Sequence, residues 1–417
     1  MTDIDEALDL VLSAVRPLPA EEVPLLEALG RAAAGSIVST EPVPAFDNSA
    51  MDGYALRSVE LEAGRREFRV VVDIPAGRWV DQVVGEGAAA KIMTGAPVPP
   101  GVDTVVPVEL TEQHGDRLVV HKGVPAGANV RSAAEDIAAG AVLLERGALL
   151  APADIGLLAS VGHRSVLVTR RPRVAILATG SELVSLGRPL GPGQIRNSNS
   201  ATAYGQVLAA AGDPLLLGIA PDDLTVTRRL ISAALDQDVV ITSGGVSVGE
   251  YDFVKQVQDE LGVQRRFWGV AMKPGKPLAF GTRGDTLVFG VPGNPVSAMV
   301  CFELYVRPAL LALQGRTDLY RPYVHAVAEE SMKASRRRTE LRRCRLVRRQ
   351  RGWAFTTTGP QGSGILRSMS QADGLVVVPP EHPKAAPGDE FLVMLLDGRA
   401  VERPPFPRGG TSASSGD

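Results

Sequence analysis

Between Asp238 and Phe253 the chain reads Asp-Val-Val-Ile-Thr-Ser-Gly-Gly-Val-Ser-Val-Gly-Glu-Tyr-Asp-Phe. No other passage restricts the fold as much. Asp238 to Ile241 have the composition of a strand buried on both faces. The strand runs into Thr242, Ser243, Gly244 and Gly245, then Ser247 and Gly249, before Phe253, Val254, Val257 and Leu261 recur at helical spacing. Glycines let backbone N–H groups close on a bulky anion, and the start of the next helix favours negative charge. Glu250 and Asp252 place carboxylates beside that point, where a cation could be held. A Gly-rich turn of purely structural use is the competing reading. The spacing matches neither a Walker A loop nor a dinucleotide fingerprint. The expected ligand is therefore phosphorylated without being an ordinary NTP or NAD.

The rest of the chain divides around this unit. Val174 to Thr179, Leu215 to Ile219 and Thr286 to Val291 read as further strands. Ala203–Ala211, Leu224–Leu235 (capped near Asp222 or Asp223) and Val296–Leu313 read as the helices between them. Such alternation implies a doubly wound α/β domain. Short apolar runs between Gly and Pro from Phe68 to Val120 imply a small β domain, and five more runs from Val324 to Leu396 a small barrel or sandwich. Residues 5–15, Val23–Ala34 and Ile137–Val161 carry helical patterns, with Asp154 a plausible N-cap. Residues 403–417 are rich in Pro, Gly and Ser, as in a disordered tail.

Composition excludes several classes. A net charge of −3 does not suit general nucleic-acid binding, and no stretch of 18 uninterrupted apolar residues suggests a membrane span. The acidic N-terminus is unlike a secretory signal. Cys301 and Cys344 are expected to be reduced core thiols of a cytoplasmic protein. Arg336 to Arg351 contains nine arginines, but its interleaved Leu341, Cys344, Leu346 and Val347 fit barrel strands with a basic face, turned to solvent or to an anionic ligand.

Other segments carry chemistry. Glu182 follows the first α/β strand, where ligands gather, and could meet Mg²⁺ or a sugar hydroxyl. Lys273 and Lys276 sit on a Lys-Pro-Gly-Lys-Pro turn suited to phosphate contact, or simply to solvent. Pro292-Gly-Asn294-Pro-Val-Ser297 leads into a helix, with Ser297 either near an anion or a plain cap. The loop from Phe46 to Tyr54 packs Asp47, Asn48, Ser49 and Asp52 together, and Thr94, Arg131, Glu135 and Asp136 add further polar groups.

Eight segments in order resemble the molybdopterin molybdenumtransferase family, of the MoeA and gephyrin E-domain type. They are Phe46-Asp-Asn-Ser-Ala-Met-Asp-Gly-Tyr-Ala55, Ile92-Met-Thr-Gly-Ala-Pro97, Glu135-Asp-Ile137, Thr179-Gly-Ser-Glu-Leu183, Ser243-Gly-Gly-Val-Ser-Val-Gly-Glu250, Lys273-Pro-Gly-Lys-Pro277, Pro292-Gly-Asn-Pro-Val-Ser297 and Thr357-Thr-Gly-Pro-Gln-Gly-Ser363. The resemblance implies an elongated, multi-domain α/β plus β chain. Residues 1–44 and 131–172 would form a discontinuous helical linker domain, 45–130 an inserted β domain, 173–318 the Mog-like α/β domain and 319–402 a C-terminal β-barrel. It also implies a homodimer that inserts molybdate into adenylylated molybdopterin with Mg²⁺-dependent release of AMP.

Carried over residue by residue, the resemblance gives catalytic roles to Asp52, Thr94, Asp136, Glu182 and Asp252, with Asp252, Glu182 and Asp52 as metal ligands. Ser243, Gly244, Gly245, Ser247, Lys273, Lys276, Pro292, Asn294, Ser297, Arg343 and Ser363 would bind the pterin substrate and the oxoanion. Other molybdenum-cofactor enzymes are implied partners. Gly269 and Ser181 depart from the family pattern, which often has a lysine and an acid there. A Mog-type adenylyltransferase and a gephyrin-like scaffold remain rival readings.

Overall fold

The computed structural model describes residues 1–244, 253–350 and 352–396. The expected tail at 403–417 therefore lies outside the described residues. The chain separates into two compact units, Met1–Pro19 with Thr169 onward, and Ala20–Val168.

The first unit is built on a six-stranded sheet. Its order is Asp213–Ala220, Arg173–Thr179, Val239–Ser243, Thr286–Val291, Ala279–Arg283 and Gln264–Trp268. The first four strands run parallel and the last two pair antiparallel. Val239–Ser243 is buried throughout, as expected for the central strand of a sheet covered on both faces. One face packs Val174, Ile176, Val239 and Ile241 against helices Ser198–Ala209 and Pro295–Leu313; the other packs Ala175, Leu177 and Val240 against helices Leu224–Ala234 and Phe253–Glu260. Asp223 caps helix Leu224–Ala234 by accepting from Val226 N–H at 2.9 Å.

Helix Ile4–Ser13 corrects one expectation. The resemblance places it in the linker with residues up to 44, but Ala7 and Val11 pack into the α/β core. A capping box of Asp3 and Glu6 starts it. The run Pro295–Leu313 is long and apolar enough to cross a membrane, but 78% of its most apolar window is buried inside the protein, as in a core helix.

The C-terminal strands close on themselves. Thr339–Arg349, Gly352–Thr357, Tyr323–Ala328, Glu390–Leu395 and Gly374–Val378 follow one another around the sheet, and Gly374–Val378 pairs back with Thr339–Arg349. This is a closed five-stranded barrel, which removes every free edge. Val324, Leu346, Phe355, Val376 and Val393 fill or flank its core.

The second unit carries a six-stranded sheet in the order Thr104–Pro107, Gly53–Leu56, Ala88–Ile92, Glu67–Ile74, Arg117–Val120 and Thr111–His114. Gly53 is required where it stands, because a Cβ there would lie 2.1 Å from the Val106 carbonyl oxygen. The expected helix over Val23–Ala34 does not form. Ala20–Pro24 is a strand paired with Ser165–Thr169, followed by a single 3₁₀ turn, Leu25–Glu27. Pro24 and Gly30 interrupt the apolar spacing too closely for a longer helix. Of the helical pattern over Ile137–Val161 only Pro152–Ser160 forms a helix, while Val142–Leu144 is a strand; the helix N-cap is Ala151, and Asp154, its third residue, accepts from Ala151 N–H at 2.8 Å.

Candidate functional site

The carboxyl ends of the parallel strands meet at Thr179, Ser243 and Val291. Gly244 makes this convergence possible. It has φ +90°, and a Cβ would sit 2.7 Å from the Thr179 carbonyl oxygen and 2.8 Å from its hydroxyl. Asn199 cross-links the ends, donating to Ser243 Oγ at 2.7 Å and to the Gly293 carbonyl at 2.8 Å. Sequence reasoning passes over this residue. Its only signal is the polar run Arg196-Asn-Ser-Asn-Ser200, in which Asn197 caps helix Ser198–Ala209 and Asn199 turns back to the sheet. Gly245, Ser247, Glu250 and Asp252 lie outside the described residues.

Pro292 is buried, while Gly293 and Asn294 are exposed. Asn294 precedes the helix beginning at Pro295, but its side chain makes no capping bond. Ser297 is therefore not the cap; it is the third helical residue and is 4% exposed. The Val296 N–H donates to the Ser363 carbonyl at 3.0 Å, which joins the helix start to the barrel loop.

Beside this junction lies a cleft of about 510 Å³. It brings together Lys273, Lys276, Asn294, Ser297, Arg343 and Ser363, all predicted as binding residues, and adds Arg338 and Glu340. The Lys273–Pro274 peptide bond is cis. Backbone pairing holds the segment that enters the lysine turn. Met272 and Lys273 pair in parallel with Thr339 and Glu340 of the barrel. Just upstream, Thr2 N–H donates to the Gly269 carbonyl at 3.0 Å and Ala271 N–H to the Thr2 carbonyl at 2.9 Å. Gly269 has φ +86°, a conformation that L side chains rarely adopt and that suits glycine at this turn.

The cations of the cleft differ in their surroundings. Lys273 Nζ donates to Glu340 Oε1 at 3.0 Å. Burial alone would raise the Glu340 carboxyl, but bonds from Lys273 and Arg342 outweigh it and hold the group below the usual carboxylate range. Among the described residues, no hydrogen bond or ion pair occupies the side chains of Lys276 and Arg338. Arg343 lines the cleft as expected, but its guanidinium is already engaged within its own chain. The expected role is to present donors to an oxoanion, but the residue is 1% exposed. Its Nε donates to Ser368 Oγ at 3.0 Å, Nη1 to the Gln361 carbonyl at 3.1 Å, and Nη2 to the Gly362 and Pro360 carbonyls at 3.0 and 3.4 Å. Burial, with help from the adjacent Arg342 charge, lowers its pKa from the usual arginine value. Arg343 thus shapes the loop that bears Ser363.

The expected acids fall in separate places. Asp52 and Thr94 do meet: Asp52 Oδ1 accepts from both the Thr94 N–H and its hydroxyl at 2.7 Å. These two bonds hold the exposed Asp52 carboxyl below its ordinary value. Asp136 is exposed in the same unit, anchored through its N–H to the Val43 carbonyl at 3.1 Å. Glu182 is exposed in the other unit, on the turn after Thr179. No group of three or more His, Cys, Asp or Glu residues suited to a metal occurs among the described residues.

Similarity to known proteins extends over nearly the whole chain. Residues 2–162 match the MoeA N-terminal region (domain I and II), residues 175–312 a probable molybdopterin binding domain, and residues 325–396 the MoeA C-terminal region (domain IV). Molybdopterin molybdenumtransferase 2 of Mycobacterium tuberculosis is 37% identical over 405 residues, covering 94% of this chain and 99% of that protein. The molybdopterin molybdenumtransferase of Haemophilus influenzae is 36% identical over 398 residues, covering 94% and 98%. Two structures of the molybdopterin biosynthesis MoeA protein of Pyrococcus horikoshii superpose with TM-scores of 0.83 and 0.81, at 32% and 30% identity, over 96% and 95% of this chain and 100% of theirs. With three domain matches in order and relatives similar over nearly their full length, the chain belongs to the MoeA family.

Proposed function

We propose that this protein is a molybdopterin molybdenumtransferase of molybdenum cofactor biosynthesis. It takes molybdate and adenylylated molybdopterin, cleaves the pyrophosphate link with release of AMP, and leaves the metal on the dithiolene. The observation that carries this reading is the cleft beside the strand ends, where Lys273, Lys276 and Arg338 offer cations and Ser297 and Ser363 hydroxyls. A tetrahedral dianion needs such donors. The strand ends at Thr179, Ser243 and Gly244 would hold the phosphates. Removing one contact that stabilises the developing charge typically lowers a rate by about 10²–10³.

Mg²⁺ is part of the proposal. Its ligands would be Asp252, Glu182 and Asp52, whose hard oxygens suit the ion. Thr94 engages only Oδ1 of Asp52, leaving Oδ2 for a metal or substrate. Bound there, the ion would offset negative charge on the pyrophosphate. We also propose a homodimer in which Asp52 and Thr94 of one subunit complete the cleft of the other; the resemblance in sequence supports this. The domain limits given above belong to the same reading, apart from the first helix. Free, buried Cys301 and Cys344 fit a cytoplasmic enzyme.

The test is a defined reaction of the protein with adenylylated molybdopterin, molybdate and Mg²⁺. AMP and a molybdenum-bearing pterin should appear together. Turnover of ATP with unmodified molybdopterin would favour the adenylyltransferase. No turnover of either substrate by folded protein would leave the scaffold. For the dimer, mixed Asp52→Ala and Asp252→Ala subunits should regain activity; no recovery after confirmed exchange would refute a shared cleft.

A further inference from the structure

An oxoanion cleft that contains a carboxylate needs an explanation, since like charges repel the ligand. Glu340 is 4% exposed and every side of it is engaged. Oε1 accepts from Lys273 Nζ at 3.0 Å and from the Ser335 N–H at 2.8 Å. Oε2 accepts from Arg342 Nε at 3.1 Å and Nη2 at 3.0 Å. The parallel pairing of Lys273 with Glu340 sets the two residues side by side before any side-chain bond forms. Lys276, three residues on, has no such partner among the described residues. Two lysines on one turn therefore stand in opposite electrostatic states.

We propose that Glu340 is a positioning residue that fixes the Lys273 ammonium in the cleft wall and screens its charge, so that Lys276 supplies most of the attraction for an incoming tetrahedral dianion. The inference depends on the cleft being an oxoanion site. Its physical basis is that Lys273 and Arg342 share one carboxylate, so two cations together present a single net positive charge and the field of Lys273 at the cleft is weaker than that of a lone ammonium. Lys273 then serves as a fixed donor of short reach, and Lys276 as the group that draws the ligand in. The carboxylate does not repel the dianion strongly, because four donors already surround it.

Calorimetric titration of the full chain with molybdate, at two salt concentrations, tests this. Lys276→Ala should weaken binding by about tenfold or more, the value of a lost charged hydrogen bond, while Lys273→Ala should cost less than about threefold. Glu340→Gln should tighten binding by about fivefold and steepen its salt dependence, because it unmasks Lys273. Glu340→Asp should keep the wild-type affinity. A purely structural carboxylate would give weaker binding, never tighter. Equal losses for the two lysine variants, or weaker binding by Glu340→Gln at an unchanged melting temperature, would overturn the inference and leave the cleft reading intact. If Glu340→Gln does not fold, the lysine comparison decides alone. No saturable binding by the wild type would overturn both.

Discussion

Replacing Arg343 separates a scaffold from a ligand donor. In Arg343→Met the side-chain volume is roughly kept, but the guanidinium is lost. The carbonyls of Gln361 and Gly362 and the Ser368 hydroxyl lose bonds of 3.0–3.1 Å, and the Pro360 carbonyl a longer one. An unsatisfied buried acceptor costs about 1–3 kcal/mol. Summing four such terms would overshoot, because the loop borders the cleft and water can reach part of it. We therefore expect a loss of about 3–5 kcal/mol, close to that for breaking a buried charged network. Chemical denaturation followed by hydrogen exchange over residues 359–365 would measure it. Residues 359–365 should lose protection before the parallel sheet does. The reasoning is refuted if Arg343→Met unfolds like the wild type, keeps loop protection and yet binds no molybdate. Arg343 would then be a ligand donor, as its sequence context suggests.

Other expectations follow from the same geometry. Thr94→Val should slow AMP release by about tenfold with little change in unfolding, since one charged hydrogen bond to an exposed Asp52 is lost; an unchanged rate would remove the pair from the chemistry. Gly244→Ala should cost about 2 kcal/mol in urea unfolding, because its backbone at φ +90° and the nearby Thr179 carbonyl both resist a Cβ; a neutral effect would contradict the close approach. Asp238 is held by two Arg170 bonds of 2.7 and 2.6 Å and by the Arg173 N–H at 2.7 Å. Although burial opposes it, these bonds keep the Asp238 carboxyl below its ordinary value. Its contribution is thus full above the ordinary carboxylate pKa and is lost as pH falls through the lower folded value. Asp238→Asn should be less stable than wild type at neutral pH, and the gap should close in acid; a gap that persists there would point to packing instead.

What can be read from sequence depends on how local the determining interactions are. The parallel strands at Arg173, Val239 and Thr286 are legible because each is an unbroken apolar run followed by a glycine or polar turn. All five barrel strands are legible for a similar reason, although their closure depends on the pairing of Glu340–Cys344 with Gly374–Val378, which no single segment reveals. Val23–Ala34 misleads because its apolar spacing suits a helix, while its pairing partner, Ser165–Thr169, lies far along the chain. The lysines of the cleft stand out through a motif. Glu340 does not, because an acid within an arginine-rich strand looks like an ordinary surface residue until Lys273 is placed opposite it. Arg343 is visible in the sequence but its role is not. A motif marks a position, and only burial tells whether a guanidinium faces a ligand or its own loop.

The short strand at Met272–Lys273 behaves as a clasp. The first residues of the chain hold the residues just before it, Thr2 bridging Val270, and the barrel pairs with the strand itself. The two lysines belong to the α/β segment by sequence, yet their placement is enforced by parts of the chain more than 60 residues downstream and more than 260 upstream. An excised segment 173–318 would keep both lysines and lose what aims them. The barrel is thus better regarded as half of a vice than as an appended module, and exchanging barrels between relatives would retune the cleft even where every cleft-facing residue of the α/β segment stayed the same.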